Sequence, residues 1–242
     1  MDDITILGLT KKYKNLTAVD NLSLNIKKGE LFALLGVNGS GKTTTIKMLS
    51  CLTKPTSGDA FLNGISIHNG AAEIKKFIGV SPQETAIAPG LTAKENLEFI
   101  CGVYGFTKET QKRKITELST LLHLDQIENK KAGKLSGGWQ RRLSIAMALI
   151  SEPKILFLDE PTLGLDVLSR SCLWDIIRSL KGKVTIVMTT HYMEEAEALA
   201  DRIGIMMDGK LIKCDTPENI KEAAQANSIE QAFIHIVKGA AK

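Results

Sequence analysis

The sequence predicts an α/β fold, a core of buried strands and helices interrupted by an all-helical insert. Three observations carry that prediction. LFALLG (31–36) is a continuous apolar run, as in a strand covered on both faces, and ILFLDE (155–160) and VTIVMTTH (184–191) read as further strands, each with an apolar stretch before a polar end. The first run leads through a glycine-rich turn into a helical pattern. After Pro89 the hydrophobic period turns helical and stays so until Ile155.

Taken in order, LSLNI (22–26) alternates apolar and polar residues and reads as a half-buried strand, closed by the turn KKGE. LFALLG follows as a buried strand, then GVNGSGKTT, then a helix through Ile46, Leu49 and Ser50. KPTSG (54–58) is a turn cluster, and FLNGISI and FIGVSPQ read as further strands. Thr92 with Glu95 three residues on forms a capping box before a helix whose apolar face holds Leu97, Ile100, Cys101 and Tyr104. The basic run KETQKRK reads as a solvated face leading into the helix ITELSTLLHL. Leu143, Ala146, Met147 and Ile150 mark another helix after LSGG, and residues 167–180 another. Asp208-Gly209 between two apolar runs signals a hairpin.

Bulk composition excludes several classes. With 242 residues, 43% hydrophobic and 24% charged, the chain has the make-up of a globular protein with a sizeable core. A net charge of +4 is too weak to argue for a nucleic-acid partner. The acidic start MDDITILGL does not read as a signal peptide, and no stretch is apolar over a membrane-spanning length. Cys51, Cys101, Cys172 and Cys214 form no CxxC pair and are expected to be small buried hydrophobes of a reducing compartment.

The chemistry is concentrated in a few short segments. Gly36–Thr43 matches G-x-x-x-x-G-K-[ST] between a strand and a helix, a phosphate-binding P-loop. Its glycines, with Val37, Asn38, Ser40 and Thr44, let backbone N–H groups meet phosphate oxygens. Lys42 is expected at the β- and γ-phosphates and the Thr43 hydroxyl at Mg²⁺. ILFLDE ends its strand in two carboxylates, with Asp159 suited to a magnesium shell and Glu160 to orienting or deprotonating a water. His191 ends the next apolar strand and is expected at a γ-phosphate, while the amide of Gln83 can touch both metal and water. Tyr13, upstream of the loop, can stack on a base or serve as a strand-edge aromatic. LSGGWQRR (135–142) poses a second question: a Ser-Gly-Gly run before two arginines also suits an anion.

Together these segments closely resemble the ATP-binding cassette (ABC) family of nucleotide-binding domains. The resemblance rests on a Walker A loop (Gly36 to Thr43), a Q-loop glutamine (Gln83), the signature LSGG (Leu135 to Gly138), a Walker B strand (Ile155 to Asp159) followed by Glu160, a D-loop ending at Asp166, and a switch histidine (His191), all in family order. It implies a P-loop NTPase core with a mixed sheet, an N-terminal antiparallel β subdomain and a helical insert. It further implies one domain over 1–242, with core at about 1–83 and 153–215, insert at about 84–152 and a helical tail at about 216–242. ATP and Mg²⁺ are the implied cofactors. In this family two domains pair head to tail, so Ser136, Gly137 and Gly138 serve the neighbour's γ-phosphate and Asp166 links the two sites.

The same resemblance implies a second ABC subunit, identical or a paralogue, separately encoded transmembrane permease subunits, no nucleic acid, and a place on the cytoplasmic face of the cell membrane. The permease groove is expected beside Gln83 and the insert. Two positions depart from the family pattern. Trp139 stands where Gln is usual and either packs on the insert or contacts the partner's nucleotide, and Leu163 replaces a commonly smaller or polar residue. The tail NSIEQAFIHIVKG and the segment LTAKENLEF resemble ABC-2-type exporter subunits, although Ile229, Phe233 and Ile236 also fit an amphipathic helix that only covers the core. The alternative function is a soluble ABC ATPase acting on nucleic acid or the ribosome. The short stretch between Gln83 and Ser136, without heptads, and the single cassette argue against it.

Overall fold

A computed structural model describes residues 2–240. The chain divides into two compact units, one formed by residues up to Lys76 together with those from Lys181 onward, the other by Phe77–Leu180.

The first unit opens with two twelve-residue strands, β1 (Asp2–Tyr13) and β2 (Leu16–Lys27), paired antiparallel with several register shifts. Gly8 at φ 60° lies within one of these irregularities. The buried strand β3 (Leu31–Leu35) then leads to α1 (Lys42–Leu49). β4 (Ser57–Leu62) returns antiparallel along β1, and β5 (Ile65–Ser66) pairs with β4. FLNGISI, expected as one strand, is therefore a hairpin. Asn63 and Gly64 both have positive φ, 48° and 76°, and form the two-residue turn that Asn-Gly favours. KPTSG likewise gives its last two residues to β4. The short helix α2 (Ala71–Ile74) closes this segment.

The second unit starts with β6 (Ile78–Ser81) and continues through α3 (Ala93–Val103), α4 (Lys108–Leu122) and α5 (Gly137–Leu149). It ends with β7 (Ile155–Asp159), parallel to β6, and α6 (Val167–Leu180). It thus holds the expected helical stretch 84–152 together with two strands and a helix. The capping box at Thr92 and Glu95 is present in both directions. KETQKRK is the first half of α4 rather than a lead-in; Lys108, Glu109, Lys112 and Arg113 are exposed, as a solvated face requires, and Lys114 is the exception. Lys114 in it is only 6% exposed, pairs with Glu152 at 2.7 Å and lies 4.9 Å from the Phe106 ring centre.

Back in the first unit, β8 (Thr185–Thr190) runs parallel to β3. After α7 (Met193–Leu199), β9 (Arg202–Met207) lies parallel to β3 on its other side, and β10 (Lys210–Asp215) pairs antiparallel with β9 through the Asp208-Gly209 turn. Both turn residues have positive φ, as the hairpin signal requires. β3 and β8 are buried at every residue, so neither alternates: β3 is apolar throughout, and β8 holds Ile186, Val187 and Met188 between buried threonines. The tail forms α8 (Pro217–Ala223) and α9 (Ile229–Ala240), and Ile229 and Phe233 are buried, so it covers the core. Of the four cysteines only Cys101 is buried; the others are half-exposed, against expectation. No helix of the described residues is long and apolar enough to cross a membrane.

Candidate nucleotide-binding site

In the first unit, parallel pairing brings two of the expected elements together. Leu35 and Thr190 are register partners at the ends of β3 and β8, and the Gly36 N–H donates to the Thr190 carbonyl at 3.3 Å. The glycine-rich loop and His191 therefore leave the sheet side by side, at the strand ends where doubly wound sheets place ligands. The His191 ring lies 4.2 Å from that of Tyr192, centre to centre.

The loop's path requires glycine. A Cβ on Gly36 would stand 2.4 Å from the Met206 carbonyl and 2.6 Å from Ser40 Oγ. Gly41 has φ 105°, and a Cβ there would meet the Ala18 carbonyl at 2.4 Å. The β9–β10 turn holds the loop from the side, since the Gly209 N–H donates to the Ser40 carbonyl at 3.2 Å. Val37, Asn38 and Gly39 are exposed at the crest, while Ser40, Gly41 and Lys42 are buried. Lys42 Nζ donates to the carbonyls of Gly36 and Val37, at 2.8 and 3.2 Å, which holds the ammonium inside the loop's curve. Thr43 and Thr44 are half-exposed in the first turn of α1. Ser40 Oγ is buried and has no hydrogen-bond partner among the described residues, an orphaned polar atom that suits an incoming anion. Tyr13 ends β1, is 44% exposed, and has Lys11 Nζ 5.0 Å from its ring centre.

In the second unit the same device recurs. Ser81 and Leu158 are partners in the parallel β6–β7 pair, so Gln83 and the carboxylates Asp159 and Glu160 leave adjacent strand ends. Asp159 and Glu160 are 4% and 5% exposed. Glu160 adopts φ 49°, a left-handed conformation that a non-glycine residue holds only when its surroundings impose it. Gln83 is exposed in a bend after Pro82.

Ser136 occupies the N-cap position of α5, as expected, but its hydroxyl makes no capping bond. Ser136 and Gly137 are exposed; Gly138 is buried, and a Cβ on it would meet Ser169 Oγ at 2.9 Å. The two arginines after LSGG point to different partners. Arg141 is buried and donates to the Pro82 and Gln83 carbonyls, and Arg142 lies 4.5 Å above the ring of the half-buried Trp139. Asp166 precedes α6, accepts from the Ser169 N–H at 2.9 Å and from its hydroxyl at 2.7 Å, and those bonds hold its carboxyl below the usual range. Sequence reasoning missed Arg141; its only signal there was an arginine five residues into a helix after a signature.

Fold and loop together define a P-loop NTPase of the mixed α/β kind. The chain belongs to the ABC transporter family, whose model matches residues 19–163. It is 41% identical over 236 residues to the probable multidrug ABC transporter ATP-binding protein YbhF of Escherichia coli (strain K12), a match covering 95% of this chain and 40% of that protein. The chain therefore spans about two fifths of that relative's length. It is 40% identical over 215 residues to the Nod factor export ATP-binding protein I of Burkholderia pseudomallei (strain 1710b), covering 88% of this chain and 70% of the relative. Among solved structures, an ATP-binding subunit of an ABC transporter superposes with TM-score 0.86 at 25% identity, over 97% of this chain and 99% of that one. An ATP-binding cassette solved as a dimer in a post-hydrolysis state with ADP and Pi superposes with TM-score 0.81 at 30% identity, over 88% and 98%.

Proposed function

We propose that this chain is the ATP-hydrolysing subunit of a membrane transporter, an exporter, and that it works as a head-to-tail dimer on the cytoplasmic face of the membrane. The observation that carries the reading is the pairing of a glycine-shaped phosphate loop with His191 at adjacent strand ends. Family membership and the name of YbhF, a probable multidrug ABC transporter protein, support the transporter part, and the name of the Nod factor export protein supports the direction.

In this reading the loop N–H groups of Gly36 to Thr44 and the start of α1 bind the triphosphate, Lys42 neutralises it, and Tyr13 stacks on the base. His191 holds the γ-phosphate, and Glu160 orients or deprotonates the attacking water. Thr43, Asp159 and Gln83 hold magnesium, which when bound neutralises charge on the phosphate oxygens. The donor set fits that assignment. Among the described residues no cluster of three or more His, Cys, Asp or Glu could cage a metal alone. One hydroxyl, one carboxylate and one amide suit an ion that arrives with phosphate and keeps several waters.

Ser136, Gly137 and Gly138 act on the partner's nucleotide. Their exposed start of a thirteen-residue helix, with the Ser136 hydroxyl uncommitted to a cap, supports that role. Asp166 links the two sites. Separately encoded transmembrane subunits supply the cargo path, and the exposed apolar side chains Phe99, Val103 and Tyr104 at the end of α3 support an apolar partner on the helical stretch. The test is purification from membranes under mild detergent, with the attached chains identified and phosphate release measured. A multispanning hydrophobic chain together with Mg·ATP hydrolysis is the expected result. Attached ribosomes or nucleic acid with no such chain would reverse the reading.

A further inference from the structure

Helix α5 is fastened along β6 and the bend that follows it. At one end a Cβ on Gly79 would stand 2.3 Å from the Ala148 carbonyl, so strand and helix backbones nearly touch there. In the middle the hydroxyls of Ser81 and Ser144 are 2.9 Å apart and buried. At the far end Arg141 donates from Nη1 to the Pro82 carbonyl and from Nη2 to the Gln83 carbonyl, each at 2.6 Å. Residues 148, 144 and 141 lie on one face of α5 and meet 79, 81 and 82–83 in order.

Arg141 is 5% exposed. A buried guanidinium is costly unless its N–H groups find acceptors, and here two successive main-chain carbonyls take them in a fork. Those carbonyls belong to the residues that set where Gln83 stands. Residues 137 and 141 are about one helical turn apart, so the signature residues and Arg141 occupy the same stiff segment.

We propose that Arg141 is a positioning residue, which clamps the main chain of Gln83 to the signature helix so that the two shift as one piece. The proposal rests on the reading of Gln83 as a magnesium and water contact and of Ser136–Gly138 as contacts to a partner's phosphate. It gives the ATPase a physical link between the nucleotide a chain binds for itself and the one it completes for its neighbour. Lysine substitutes only in part, because a single ammonium lacks the planar two-donor fork.

The experiment compares wild type, Arg141→Lys and Arg141→Gln. Amide exchange is followed over residues 83–88 and, as reference, over 143–149 in nucleotide-free protein. ATP binding is measured in EDTA, and the Mg²⁺ half-saturation of hydrolysis is measured separately. Arg141→Gln is expected to exchange about tenfold faster at 83–88 alone, to bind ATP in EDTA as wild type does, and to need about tenfold more Mg²⁺. Arg141→Lys is expected to fall between. Wild-type exchange and wild-type Mg²⁺ dependence in a folded variant would overturn the proposal. So would exchange that rises equally at 143–149 with ATP binding lost, which marks a structural role only. If Arg141→Gln does not fold, Arg141→Lys decides by the same readings. Should wild type fail to hydrolyse Mg·ATP, the functional reading falls, while exchange at 83–88 still decides whether Arg141 anchors the bend.

Discussion

The two compact units place their functional residues by different means. In the first, main chain does the placing: glycines at 36 and 41 leave room for no side chain, neighbouring carbonyls crowd the loop, and Lys42 is held by the loop's own oxygens. In the second, side chains do it: Arg141 grips two carbonyls and Ser81 meets Ser144. A phosphate cradle made of backbone can be complete within one unit. Ser136 and Gly137 lie exposed, and in the proposed dimer a partner chain would cover them.

The largest effect tests the chemistry of the second unit. Glu160→Gln keeps the volume and removes the charge. Turnover is expected to fall about 10²- to 10⁴-fold while ATP binding stays at the wild-type value, measured by phosphate release and by equilibrium titration. Wild-type turnover would remove Glu160 from the water.

The next effect probes the backbone cradle. Gly41→Ala puts a side chain at φ 105° and against the Ala18 carbonyl. Strain of about 1–3 kcal/mol is expected, read as a lower unfolding midpoint and as ATP binding weaker by about tenfold or more. An alanine variant that binds ATP normally would mean the loop's shape is not set by steric exclusion.

Ser136→Ala separates the two modes of placing residues. Serine at an N-cap usually contributes about 1 kcal/mol to stability, but here the hydroxyl makes no cap bond. Stability should therefore change by less than about 0.5 kcal/mol, while turnover drops about tenfold or more from a lost bond to a charged group. A melting shift with unchanged turnover would reverse the assignment. The smallest effect is purely structural: Thr92→Ala breaks the capping box of α3 and should cost about 1 kcal/mol in denaturant unfolding, with ATP affinity untouched.

What the sequence made legible follows the same division. β3, β7 and β8 were readable because strands buried on both faces carry apolar residues without alternation, Leu31–Leu35, Ile155–Leu158 and Ile186–Met188. The phosphate loop was readable because its shape is written in glycines. The Asp208-Gly209 hairpin was readable for the same reason, whereas the equal signal at Asn63-Gly64 was hidden inside an apolar run that mimics one strand. The roles of Arg141 and Arg142 were not legible. Two adjacent arginines after a Ser-Gly-Gly run suggest an anion, and only the turn of α5 sends one to carbonyl oxygens and the other onto an aromatic ring. The paired Lys114 was missed likewise, because a charge run carries no mark of which residue faces inward.

The central claim is a nucleotide pocket completed by a second copy. Sedimentation velocity of the Glu160→Gln protein tests it most directly, with and without Mg·ATP and with and without an added Ser136→Arg change at that exposed position. The account predicts a dimer that forms only with Mg·ATP, and its loss in the double variant even though each chain still binds ATP. A dimer that persists with arginine at 136, or the absence of any ATP-dependent dimer in the single variant, would contradict it.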